Sequence, residues 1–310
     1  MRGVRNKALV AVVAAAAGLL GAGSSQGAPT GVVTAAPAAA PAEVPAAAAG
    51  CDTRSSLPAS RDESGAAVQR IKKAGTLVVG VDQNSYHWGY RDPQTGQIEG
   101  FDIDLAHAVA KALLGDPAKV TFKTVPTAQR IQAIQEHKVD LIARTMTITC
   151  DRLQQVAFSV PYFSSGQRLV VPRSAHVDKL EDGVRGKRVC AAKQSSSQTE
   201  LQQNPRGAAA VTLVDNQLDC LVLMQLGQVD ATLTDTTLAA AQTAQDPTVE
   251  MAGEQIVPAY MGIAMNQKDT DLVARVNQVL ADYRAGGGWQ ASYQRWLAAS
   301  MGADPAQYLP

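Results

Sequence analysis

The chain has 310 residues, 46% of them apolar and 18% charged, and its 28 Lys plus Arg match its 28 Asp plus Glu. That balance offers no basic surface to nucleic acid. There is also no H-E-x-x-H, no complete P-loop and no Cys/His metal spacing, so no cofactor is expected.

Residues 1 to 23 begin with Arg2, Arg5 and Lys7, pass through the apolar run Ala8 to Leu20 and end in small residues. This is a secretory signal pattern, shorter than a membrane span needs, and a signal peptide is expected over 1–27. Export to the extracellular or periplasmic side of the membrane follows, with an uncleaved anchor as the other reading. Residues 28–50 are almost entirely Ala, Pro, Gly and Val, the composition of an extended tether. About 250 residues remain, enough for two modest lobes with real cores. Four cysteines in an exported chain make disulfides the default. Cys51 has a second reading, because A-A-G-C is similar to a lipobox, although a lipobox would close the apolar segment directly.

After Gly75, T-L-V-V-G-V-D reads as a buried strand, Q-N-S-Y-H-W-G-Y as an aromatic loop and D-P-Q-T-G as a turn. The stretch F-D-I-D-L-A-H-A-V-A-K-A-L reads as a helix with Leu105, Val109, Ala112 and Leu113 on one face. V-T-F-K-T-V is a second strand. Thr127 stands where a helix N-cap belongs, with Arg130 in the first turn, poorly placed for the helix dipole.

One design then occurs twice. Gln135 to Asp140 and Gln225 to Asp230 share a spacing, and each reads as the end of a helix, a tight turn closed by Val-Asp and a short apolar strand with a polar tip. Superposing the copies puts Thr145 opposite Asp235, at the carboxyl ends of strands, where open α/β sheets bind ligands. An extended T-M-T-I-T would send Thr145, Thr147 and Thr149 to one side, with Arg152 following; hydroxyls, helix-start N–H groups and a guanidinium suit a carboxylate, and Asp235 suits an ammonium. An ordinary half-exposed strand is the plain alternative for the threonines.

Strand alternating with helix through both copies argues for two lobes of mainly parallel sheet. R-L-V-V-P, Arg168 to Pro172, reads as the crossing into the second lobe and Y-M-G-I-A-M, Tyr260 to Met265, as the return. Lobe 1 is then 51–169 plus 262–310, lobe 2 is 170–261, and a two-stranded hinge bends near Leu169 to Val171 and Met261 to Ala264.

G-T-L-V-V-G-V, E-G-F-D-I-D-L-A, K-V-D-L-I-A-R-T-M-T-I-T-C-D-R, V-D-A-T-L-T-D and G-W-Q-A-S-Y-Q-R-W together resemble, in order from Gly75 to Leu297, the solute-binding proteins of amino-acid ABC transporters, family 3. The arrangement is most similar to the actinobacterial glutamate-binding branch, including cysteines at Cys190 and Cys220. The resemblance implies the two-lobed type II periplasmic-binding-protein fold, an amino-acid ligand, a membrane permease as partner and a monomer. It implies Arg152 as the clamp for the ligand's α-carboxylate, helped by Thr147 and the backbone at Thr145, and Asp235 as partner of its ammonium. It also places Asp82, Tyr86 and Trp88 in the first-strand binding loop, Arg130 near a side-chain carboxylate, and Lys193, Ser196 and Ser197 in a second-lobe loop touching the carboxylate. Two departures stand out: Arg144 replaces a small residue, and K-Q-S-S-S replaces a glycine-rich loop. The disulfides expected are Cys190–Cys220 and Cys51–Cys150. The ligand expected is glutamate or aspartate, with glutamine the runner-up.

Two other functions compete. Cyclohexadienyl dehydratases share this fold, but of the four histidines His87, His107, His137 and His176 only His87 falls near the cleft, and the Asp82 and Asp235 carboxylates already have binding roles. A sensor reporting to a membrane receptor or kinase would use the same lobes.

Overall fold

The computed structural model describes residues 51–310, so the signal segment and the tether lie outside the described residues. In chain order the strands are β1 (Leu77–Val81), β2 (Asn84–Ser85), β3 (Gly89–Arg91), β4 (Ile98–Glu99), β5 (Val120–Thr124), β6 (Leu141–Ile142), β7 (Ala157–Phe158), β8 (Phe163–Pro172), β9 (Arg188–Ala192), β10 (Ala210–Val214), β11 (Ala231–Asp235), β12 (Val249–Met261) and β13 (Ala264–Met265). They make two five-stranded sheets, β5-β1-β6-β13-β7 and β10-β9-β11-β8-β12, and a small β2-β3-β4 meander. The first three strands of each large sheet run parallel and the last two antiparallel, so the lobes repeat one topology.

The repeated Val-Asp turns explain that repetition. Asp140 accepts the Val78 N–H at 2.8 Å while its own N–H reaches the Val78 carbonyl; Asp230 does the same to Arg188, also at 2.8 Å. Each aspartate therefore locks the third strand of its sheet, β6 or β11, beside the second, β1 or β9. Leu141 pairs with Val79 and Ala231 with Val189, which puts Thr145 and Asp235 at equivalent places along the chain, Thr145 beyond the end of β6 and Asp235 as the last residue of β11.

Apolar strands buried on both faces suit the parallel centre of a sheet. Leu77, Val79 and Val81 are wholly buried, and the helix Phe101–Leu114 lays Leu105, Val109 and Leu113 against that core, with Ala112 at its edge. Gly100 precedes this helix at φ 132, and a Cβ there would sit 2.5 Å from the Trp88 carbonyl. Only glycine lets the aromatic loop press onto the helix start.

The first crossing lies earlier than R-L-V-V-P suggests. Leu169 and Val170 sit inside the second sheet, paired with Leu233 and Thr232, and β8 begins at Phe163, paired with Met261. The chain thus changes sheets between Phe158 and Phe163. S-S-G-Q has weak strand propensity, so the beginning of this strand carries no apolar signal. Disulfides join Cys51 to Cys150 and Cys190 to Cys220. Among the described residues no helix is long and apolar enough to cross a membrane.

Candidate functional site

The two equivalent strand tips face one another across a cleft of about 330 Å³, counted as space free of protein atoms out to the mouth, lined by Thr127, Arg130, Arg144, Thr145, Thr147 and Arg152 from one lobe and Ser195, Ser196, Ser197, Gln217 and Asp235 from the other. Seven of the residues expected from sequence meet here: Arg130, Thr145, Thr147, Arg152, Ser196, Ser197 and Asp235.

The T-M-T-I-T segment is not an extended strand. Thr145 takes φ 41, a left-handed conformation that β-branched residues rarely adopt. Met146 and Ile148 still turn into the core, but Thr149 departs from the threonine face and caps the helix Cys150–Leu153, accepting the Arg152 N–H at 3.3 Å. Capping that short helix fixes Arg152. Its Nη1 donates to the Thr147 carbonyl at 2.7 Å and its Nη2 crosses the cleft to the Gln194 carbonyl at 3.0 Å. Thr147 Oγ1 lies 3.4 Å from both Ser196 Oγ and Asp235 Oδ1, so three contacts draw the lobes together at this point.

Arg130 does not behave as a solvated first-turn residue. A 3-10 turn, Thr127–Gln129, precedes its helix without a side-chain cap, and Arg130 folds back so that Nε donates to the Thr127 carbonyl at 3.0 Å. The residue is 5% exposed, and burial together with the Arg152 and Arg144 charges pulls its pKa well below the ordinary guanidinium value. Burial likewise lowers that of Arg152 and pushes Asp235 up to about 6, against the pull of the arginines. An anion would relieve the first pair and a cation the third.

The remaining expected residues go elsewhere. Asp82 is buried but engaged: it accepts the Gln83 and Asn84 N–H groups and the Ser85 hydroxyl, and Arg144 Nη2 lies 3.0 Å from it, a pairing by charge rather than by an aligned hydrogen bond. Trp88, 1% exposed, packs between Phe101 and Phe163, because its indole offers the first core more apolar surface than any neighbour in its loop. Lys193 points outward into an exposed ion pair with Asp215 at 2.9 Å. Tyr86 stacks on His87 and lines a smaller adjoining space with Gln217 and Leu238. Gln217, Thr127 and Ser195 were not legible as lining, since nothing in their local pattern separates them from ordinary helix-start residues.

The pattern describing bacterial extracellular solute-binding proteins, family 3, matches residues 77–299. The chain is 36% identical over 228 residues to a glutamine-binding protein of Geobacillus stearothermophilus, covering 70% of this chain and 86% of that one. It is 29% identical over 241 residues to a glutamate-binding protein of Corynebacterium efficiens, covering 74% and 80%. Among solved structures, a solute receptor for L-cysteine of Neisseria gonorrhoeae superposes with a TM-score of 0.75 at 25% identity, over 79% of this chain and 100% of that one.

Proposed function

The chain belongs to family 3 of the bacterial extracellular solute-binding proteins, and on that premise we propose that its cleft takes an acidic amino acid, glutamate or aspartate, for hand-over to an ABC transporter permease. The protein is an extracytoplasmic amino-acid binder. The α-carboxylate goes to Arg152 and Thr147, the ammonium to Asp235, and the side-chain carboxylate to Arg130.

The observation that carries the acidic choice is Arg130. It is buried at the cleft wall, its terminal nitrogens make no hydrogen bond among the described residues, and two other arginines crowd it. A buried cation without a partner is costly, and an incoming carboxylate supplies the partner. Asp82 supports the same choice, because Arg144 already neutralises it and so leaves no free carboxylate on that side for a basic ligand. Glutamine is the competing reading, favoured by the Geobacillus relative's name.

A thermal-shift panel of the common amino acids tests the choice. A ligand at a hundred times its dissociation constant adds about 2.7 kcal/mol, a rise of roughly 5–10 °C for a protein of this size. Glutamate or aspartate should give the largest rise. A larger rise with glutamine or arginine contradicts the proposal.

A further inference from the structure

The helix Phe101–Leu114 turns one first-turn carboxylate inward. Asp104 ties down the C-terminal region, accepting the Ser292 hydroxyl and the Trp296 indole N–H. Asp102 is 1% exposed and faces the binding segment instead. Its Oδ2 accepts the Thr145 backbone N–H at 2.8 Å and its Oδ1 accepts the Tyr162 hydroxyl at 2.7 Å. Tyr162 lies where the chain passes between the sheets, its own N–H donating to the Met261 carbonyl at 2.9 Å.

Thr145 has a backbone that needs holding. At φ 41 it occupies a region that persists for a β-branched side chain only when the surroundings over-determine it. On one side of it Arg144 reaches Asp82; on the other the Thr147 carbonyl receives Arg152. A relaxed turn would displace both arginines and the Thr145 backbone at once.

We propose that Asp102 is a positioning residue of the binding cleft: by holding the Thr145 N–H it keeps the left-handed turn that sets Thr145, Thr147 and the arginines against the ligand. The inference rests on the cleft being the amino-acid site. Asp102 itself touches no ligand.

Calorimetry with the amino acid that binds wild type best provides the test. Asp102→Ala should weaken binding about thirtyfold or more, whereas Asp102→Asn, which keeps a carbonyl acceptor of the same shape, should stay within about threefold. Adding Thr145→Gly to Asp102→Ala should recover about fivefold or more, because glycine holds a positive φ without cost. Thr145→Pro leaves Asp102 in place but has no N–H to give and cannot take φ 41; it should lose binding like Asp102→Ala and keeps the question open to refutation if that variant does not fold. Binding by Asp102→Ala or Thr145→Pro within about threefold of wild type overturns the proposal. So does a loss in Asp102→Ala that neither asparagine nor Thr145→Gly relieves, the mark of a merely structural residue. A wild type that binds no amino acid overturns the reading of the cleft, and this inference with it.

Discussion

Three buried arginines and the buried Asp235 line the cleft, and of these four only Arg144 is in a direct ion pair among the described residues, with Asp82 outside the lining. Arg152 spends its fork on backbone carbonyls, which aims it without discharging it. Arg152→Ala should therefore weaken every amino acid at least about a hundredfold by calorimetry, since the ligand's carboxylate would be desolvated without a partner. Asp235 gives a pH signature. Burial raises its folded pKa to about 6, so the unliganded fold holds this proton more tightly than the unfolded chain does. Its contribution therefore favours folding at low pH and is lost as pH rises from the ordinary carboxylate range through about 6. Binding runs the other way: an ammonium needs the ionised form, so affinity should fall as pH drops below about 6, by up to about tenfold per unit, and the step should vanish in Asp235→Asn. Arg152, Thr147 and Asp235 were legible in sequence because the repeated turn fixes their register. Trp88, Asp82 and Lys193, expected from sequence at the cleft, do not line it: a loop aromatic, an acid and a lysine have several good partners, and only packing chooses. Asp102 looked like any acid at a helix start.

At the scale of elements, the repeated helix-turn-strand unit was readable because one side-chain-to-backbone bond, made by Asp140 and again by Asp230, does the same work in both lobes. The start of β8 was not, since F-S-S-G-Q owes its strand conformation to the long ladder with β12 rather than to its own residues. Glycine at position 100 marks a close contact of one element with the backbone of another. Gly100→Ala would force a Cβ against the Trp88 carbonyl at positive φ and should cost about 3 kcal/mol or more in urea unfolding. The Cys190–Cys220 bond spans 30 residues and joins β9 to the helix Gln217–Gln225. Replacing both cysteines by alanine should cost about 3 kcal/mol in the same measurement.

The described residues carry two copies of one sheet topology joined by the strand connections at Phe158–Phe163 and Met261–Ala264, with the candidate site between them. The fold class was legible from alternating strand and helix and from the internal repeat. Of the two places where the chain passes between the sheets, only the return was legible in sequence. Contacts to the cleft come from both lobes, so a ligand favours the form in which they are closed. X-ray scattering should show compaction on adding ligand, and an unchanged radius at saturation would remove hinge closure. Arg130 donates its Nε to the Thr127 carbonyl but meets no carboxylate in an ion pair among the described residues, and calorimetry of wild type and Arg130→Ala with glutamate and glutamine tests its role most directly. Wild type should prefer glutamate, and Arg130→Ala should weaken glutamate by about a hundredfold while changing glutamine by less than about fivefold. A wild-type preference for glutamine, or an equal loss of both ligands in Arg130→Ala, would contradict an acidic ligand.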